Sequence, residues 1–266
     1  MNELTEKQVQ AVIALAKKAG DEVMRIYQQD FTVDFKDDES PLTQADLCSH
    51  RCIVDGLLEI TPGLPVLSEE SSDEVKSTRM GWQAFWLVDP LDGTKEFVKK
   101  NGEFTVNIAL IYDYYPVFGV VYAPALNVMY WGGRAIGSYK IHADGNVVGI
   151  ASSIPPNKSS EYKIVGSRSH QSEEFKAFVA NYPGADIVSM GSSLKLCLVA
   201  EGMADLYPRL GLTSEWDTAA AQAVVEGAGG SVISQQDGLR LNCNKNPDTL
   251  LNPFFIVSGE GYGGDQ

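Results

Sequence analysis

The stretch Trp86 to Phe97, WLVDPLDGTKEF, sets two aspartates three residues apart, Asp89 and Asp92, between an apolar run and a glycine-threonine turn. Pro90 fixes φ and Gly93 permits a turn that a β-carbon would obstruct, so both carboxylates and the Leu91 carbonyl can face one side. Hard cations such as Mg²⁺ take oxygen donors of this kind. A helix starting just after the turn would turn the N–H groups of Gly93 and Thr94 toward the same spot, ready for a phosphate oxygen. Taken alone, such a pair of aspartates is more often a pair of turn caps. Two further features shift the balance. Glu69 and Glu70 end a neighbouring predicted strand in PVLSEE, and EWDTAAA puts Asp217 at a helix start, where an N-cap role alone would otherwise explain it. Gathering several carboxylates without a cation is costly, because like charges raise one another's pKa and repel.

The elements that must position these residues are legible in outline. Thr5 to about Gln29 reads as a helix with Thr5 and Gln8 as a capping box and Val9, Val12, Ile13, Ala16, Ala19 and Val23 on one face. A second helix is predicted from Gln44 to about Glu59, followed by a TPGLP break. PVLSEE and AFWLVDPLDG are two strands of one design, apolar along their length and acidic at the tip. From Phe104 to Trp131 three apolar runs separated by turn residues predict an antiparallel meander. Around Ala151 to Ser160 the composition turns to serine, proline and lysine, which divides the chain into residues 1–155 and 156–266. Beyond that point strands alternate with helices at about Ser172 to Asn181, Leu194 to Glu201 and Asp217 to Glu226, an α/β second half. GAGGSVIS and GLRLN read as a closing hairpin.

Composition bounds the rest. With 266 residues, 44% of them hydrophobic, the chain can bury a substantial core. Its 35 acidic against 21 basic residues give a net charge of −14, which argues against nucleic acid as a partner. A small anionic substrate stays open if bound cations override the field locally. The N-terminus is charged and amphipathic, and the apolar run Phe104 to Tyr122 is interrupted at Asn107 and Asp113, so no leader or membrane span is expected and the expected compartment is the cytoplasm. Cys48, Cys52, Cys197 and Cys243 are too few for a disulfide framework and read as reduced.

Taken together, LSEE, DPLDGTKEF and WDTAAA resemble the signature motifs of the inositol monophosphatase superfamily of Mg²⁺-dependent, lithium-sensitive phosphatases. The resemblance runs from PLTQAD at Pro41 to Asp46 through LNPFF at Leu251 to Phe255. The segments NGEFTVNIALI, GVVYAP, SRSH, GSSLKLCLVAEG and ADLYPRLG are similar to the superfamily's 3′(2′),5′-bisphosphate nucleotidase branch. The fold this implies is α+β, a layered α-β-α-β-α sandwich with an antiparallel-rich N-terminal half and an α/β C-terminal half.

The resemblance also implies roles. Glu69, Asp89 and the Leu91 carbonyl would hold one Mg²⁺, and Asp89, Asp92 and Asp217 a second; a third, looser ion near Glu69 and Glu70 is also implied. Glu69 and Thr94 would orient the attacking water, with Asp46 as the aspartate that hydrogen-bonds this threonine. The scissile phosphate would lie against Glu69, Leu91, Asp92, Gly93, Thr94 and Asp217. The implied substrate is adenosine 3′,5′-bisphosphate, a by-product of sulfate assimilation, cleaved to AMP and phosphate. Its uncleaved 5′-phosphate would be met by the Gly191 and Ser192 turn with Lys195 and Arg209, and its nucleoside by Ser167 and His170. An inositol or sugar phosphatase of the same superfamily is the alternative, and a non-catalytic nucleotide sensor the alternative of another class, which would need a damaged set of these carboxylates. The branch leans to a monomer, and some bacterial relatives are peripheral on the inner membrane face, although the N-terminal helix carries no aromatic anchors for that.

Overall fold

A computed structural model of the chain describes residues 4–29, 33–35, 41–166 and 172–261. Its elements follow in the order α1 (Glu6–Tyr27), β1 (Val33–Phe35), β2 (Pro41–Thr43), α2 (Gln44–Ile60), β3 (Val66–Ser68), α3 (Asp73–Thr78), β4 (Ala84–Asp92), α4 (Thr94–Val98), β5 (Thr105–Tyr112), β6 (Tyr115–Ala123), β7 (Val128–Gly133), β8 (Gly137–Ile141) and β9 (Val147–Ile150). The second half continues with β10 (Lys163–Gly166), α5 (Glu173–Val179), β11 (Asp186–Ser189), α6 (Leu194–Ala200), β12 (Leu206–Arg209), α7 (Glu215–Gly227), β13 (Ser231–Ser234) and β14 (Phe255–Ser258). Strands β3 to β9 form one sheet in sequence order, parallel only between β3 and β4. A second sheet has the order β11-β10-β12-β14-β13, and β1 pairs with β2.

Side-chain alternation along β4 sets the layers. Trp86 and Val88 point to one face of the large sheet, where Val12, Ala16, Ala19 and Val23 of α1 and Ile53 and Leu57 of α2 cover them. Phe85 and Leu87 point to the other face, against Ala219, Ala220 and Val224 of α7 and Leu196 and Val199 of α6. The same cluster continues into the second sheet through Val165, Tyr207, Val232 and Val257. That sheet's far face buries Ile164, Leu206 and Ile256 against Phe175 of α5. The result is the expected stack of helix, sheet, helix, sheet and helix. A strand covered on both sides must be apolar throughout, and β4 is buried from Phe85 to Leu91. The AAA run of α7 permits close approach: a β-carbon on Gly119 of β6 would lie 2.1 Å from the Ala220 carbonyl oxygen.

Some elements depart from the sequence reading. GLRLN does fold back on β13, but only as a short antiparallel bridge between Ile233 and Arg240 with the Ser234 N–H on the Leu239 carbonyl and the Leu241 N–H on the Val232 carbonyl, both at 2.9 Å; the full strand pairing of β13 is with β14, which lies between β12 and β13. All four β14 residues are buried, whereas Leu239 is 62% exposed, so burial awards the inner position to FIVS. Asp217 is the third residue of α7 rather than its cap; Ser214 holds the cap position. The capping box of Thr5 and Gln8 forms as expected, and all four cysteines are free. Among the described residues no helix is long and apolar enough to cross a membrane.

Candidate active site

In a regular strand, residues three apart face opposite sides. Asp89 pairs with Asn107 and Asp92 with Thr105, so β4 spends one more residue than β5 over this interval, a β-bulge. The extra residue brings Asp89 and Asp92 onto the same face of the sheet, the one covered by α7. Pro90 suits the bulge because it has no N–H to lose from the ladder, and its carbonyl accepts a hydrogen bond from Ser49 Oγ of α2 at 2.8 Å. Gly93 then turns the chain at φ 87°, a left-handed conformation that glycine adopts without strain, and α4 begins at Thr94.

Asp217 comes from α7 across the interface, and carboxylate oxygens of Asp89, Asp92 and Asp217 lie within 4.8 Å of one another. Burial, then the charges of Glu69, Asp92 and Asp217, push the Asp89 carboxyl well above its usual range. Burial and the Asp92 charge push Asp217 up to about 8. Three carboxylates this close cannot all ionise on their own, and a divalent cation is the partner that would let them. The donor set, three carboxylates, fits the chemistry of a hard cation such as Mg²⁺.

Of the remaining expected residues, Glu69 acts on this group directly. Glu69 lies in the turn after β3, its N–H donating to the Val88 carbonyl at 3.0 Å, and its charge reaches both Asp89 and Asp217. Lys76 Nζ donates to the Glu69 carbonyl at 2.9 Å and stands 5.7 Å from the Trp216 ring centre, tying that turn to α7. Leu91 is buried; its N–H donates to Asp89 Oδ1 at 3.0 Å, and its carbonyl accepts from Thr94 Oγ1 at 3.3 Å. Asp46 has a different partner from the one expected. Its Oδ2 accepts from the backbone N–H and hydroxyl of Thr43, both at 2.7 Å, because it is the third residue of α2 and the local capping box claims it. Burial above all, with Glu70 and Glu69 adding to it against the Thr43 bonds, raises Asp46 to about 6, so it stands in the field of the acidic turn.

One cleft of about 150 Å³ is lined by Asp92, Gly93, Ser192, Lys195, Arg209 and Asp217 among others. It therefore brings Asp92 and Asp217 into one cleft with the two expected cationic side chains, and the Arg209 charge acts on the Asp217 carboxyl. Lys195 Nζ is 5.9 Å from the Tyr207 ring centre, and an Arg209 terminal nitrogen donates to the Leu212 carbonyl at 2.6 Å. Gly191 and Ser192 form the turn before α6, with Ser192 Oγ 3.0 Å from Thr105 Oγ1. Ser167 and His170 lie outside the described residues. The start of α7 is fixed by buried Glu215, whose Oε2 accepts from the Asn244 N–H at 2.8 Å; Arg79 donates to Asn244 Oδ1 at 2.6 Å. Burial raises Glu215 to about 7, against the pull of Asn244 and Arg79.

The sequence reading missed Ser193 and gave Asn107 no role. Ser193 N–H donates to Asp92 Oδ2 at 2.6 Å, and Asn107 Nδ2 donates to Ser193 Oγ at 2.8 Å. The signal for Asn107 was present, a lone amide inside an apolar strand. Ser193 carried none, since a serine before a helix usually reads as a cap.

Comparison with known proteins bears on the whole chain. Residues 5–261 match the model of the inositol monophosphatase family. The chain is 44% identical over 252 residues to the 3′(2′),5′-bisphosphate nucleotidase CysQ of Salmonella typhimurium, covering 94% of this chain and 99% of that protein. It is 46% identical over 249 residues to the protein of the same description from Escherichia coli K12, covering 93% and 98%. Among solved structures, CysQ from Bacteroides thetaiotaomicron, a bacterial member of the inositol monophosphatase family, superposes with a TM-score of 0.83 at 40% identity, covering 96% of this chain and 98% of that one.

Proposed function

Because the chain belongs to the inositol monophosphatase family, we propose that it is a Mg²⁺-dependent phosphatase that hydrolyses adenosine 3′,5′-bisphosphate to AMP and phosphate. The observation that carries this reading is that one cleft is lined by Asp92 and Asp217 together with Lys195 and Arg209. A molecule with two phosphates can use cations held by the carboxylates and the two basic side chains at once; a monophosphate leaves one of these sets unused.

Asp89, Asp92 and Asp217, with Glu69 and the Leu91 carbonyl, would hold two cations, with a third and looser one near Glu69 and Glu70. Cations bound there make a nearby water more acidic and neutralise charge on the attacking and leaving oxygens of an in-line displacement. The chain's own residues supply alignment, which is most of what phosphoryl transfer asks of a protein. Thr94, at the start of α4, and Glu69, in the turn after β3, orient the water. Gly93 lets the backbone approach the scissile phosphate without a side chain between them. Lys195 and Arg209 hold the phosphate that is not cleaved by charge-assisted hydrogen bonds. In the cell the reaction would recycle a by-product of sulfate assimilation, in the cytoplasm.

Phosphate release measured with Mg²⁺ on adenosine 3′,5′-bisphosphate and on inositol 1-phosphate tests the reading, with preference for the nucleotide expected. Lys195→Ala and Arg209→Ala should each cut kcat/KM for the bisphosphate by about tenfold or more while changing it little for a monophosphate. Preference for the inositol phosphate would replace this reading with that of an inositol or sugar phosphatase.

A further inference from the structure

Asp92 must present one carboxylate oxygen to a cation, and the structure shows what occupies the other. Asp92 Oδ2 accepts from the Ser193 N–H at 2.6 Å, lies 2.8 Å from Ser193 Oγ, and has Thr105 Oγ1 at 3.4 Å. The Ser193 side chain is 2% exposed and its hydroxyl accepts from buried Asn107 at 2.8 Å. With that lone pair taken, its single proton has two acceptors within reach, Asp92 Oδ2 and the backbone carbonyl of Asp217 at 2.5 Å. One hydroxyl thus joins the end of β4, the middle of β5 and the first turn of α7.

Two features of the turn accompany this arrangement. Ser193 occupies the N-cap of α6, where a serine hydroxyl ordinarily caps the helix, yet it makes no capping bond. The residue before it, Ser192, has φ 44°, a left-handed conformation that costs a non-glycine residue about 1 kcal/mol or more. The turn spends a cap and some backbone strain, and in return the Ser193 N–H and hydroxyl both reach Asp92.

We propose that Ser193 is a positioning residue: it saturates Asp92 Oδ2, leaves Oδ1 as the only cation-facing oxygen, and sets the separation of Asp92 from Asp217. Asn107 serves it by orienting the hydroxyl proton toward Asp92 Oδ2 and the Asp217 backbone carbonyl. The inference rests on the cation-binding reading of the three aspartates and adds a determinant of cation affinity that lies outside the ligand set.

The test is calorimetric titration of the substrate-free protein with Mg²⁺ and with Mn²⁺, alongside melting in chelator. Ser193→Ala should weaken cation binding by about tenfold or more, the range for losing a group that orients a metal ligand, and lower the chelator melt only by what losing one buried hydrogen-bonded hydroxyl costs. Ser193→Thr, which keeps the hydroxyl, should restore affinity to within about threefold of the parent. Asn107→Ala should give an intermediate loss, and serves as the second variant if Ser193→Ala does not fold. Parent affinity in both Ser193→Ala and Asn107→Ala overturns the inference while leaving the aspartates as ligands. No cation binding by the parent protein overturns both.

Discussion

A carboxyl whose pKa is raised on folding holds a proton that the unfolded chain has already lost. Asp217 titrates at about 8 in the fold against 3.8 when unperturbed, and Asp46 and Glu215 shift the same way, to about 6 and about 7. Their stabilising contribution is therefore complete at acid pH and disappears as pH rises through those values. Melting in chelator should accordingly fall from roughly pH 5 to roughly pH 8.5, with the gain on adding Mg²⁺ growing over the same range. A cation-free melting temperature that stays flat or rises with pH would contradict the crowded-carboxylate account. At this scale the sequence was informative about identity and less so about partnership. Asp89, Asp92, Asp217 and Glu69 stand out because acidic residues at the ends of apolar elements are expensive. Asp46 was assigned a distant threonine, but Thr43, three residues away, competes at much lower entropic cost. Ser193 meets Asp92 from 101 residues away in sequence, a separation over which no local spacing carries information.

At the scale of elements, the precision of the site depends on how closely α7 approaches the large sheet. Gly119 faces the Ala220 backbone with no room for a β-carbon. Gly119→Ala should force α7 outward, cost about 3 kcal/mol by overpacking, and weaken cation binding as Asp217 moves with its helix. Exposed Gly149 in β9 has nothing within 4 Å of the place a β-carbon would take, so Gly149→Ala serves as the neutral control. Denaturant melts with and without Mg²⁺ read both effects. Most elements were visible beforehand because their patterns are strong: the 3.6-residue face of α1, the acid-tipped β3 and β4, and the meander from β5 to β7. The pairing of β14 was not, since FIVS and GLRLN are both short apolar runs near the end of the chain. What separates them is burial on two faces against one, a property of the assembled layers.

At the scale of the molecule, the largest cluster of buried side chains runs from Leu67, Phe85 and Ala109 to Val165, Tyr207 and Val257, so the two sheets share α6 and α7 as a common middle layer. The chain crosses from one sheet to the other between β9 and β10, where the composition change near residue 155 had suggested a division. With one core on both sides of that crossing, calorimetry should give a single unfolding transition, coincident by tryptophan fluorescence and far-UV circular dichroism; two separated transitions would mean that the halves are held by the cleft alone. The joint between β4 and this middle layer is also a counting device. Asp89 and Asp92 share a face only because one extra residue sits between them and resets the parity of the strand. A different apolar side chain at Leu91 leaves that parity intact, whereas removing a single residue there would send one carboxylate toward α1 and α2, into an apolar layer with no partner for it. Between the two aspartates the protein can therefore change its spelling far more readily than its length, and its lineage should record substitutions there but no gaps.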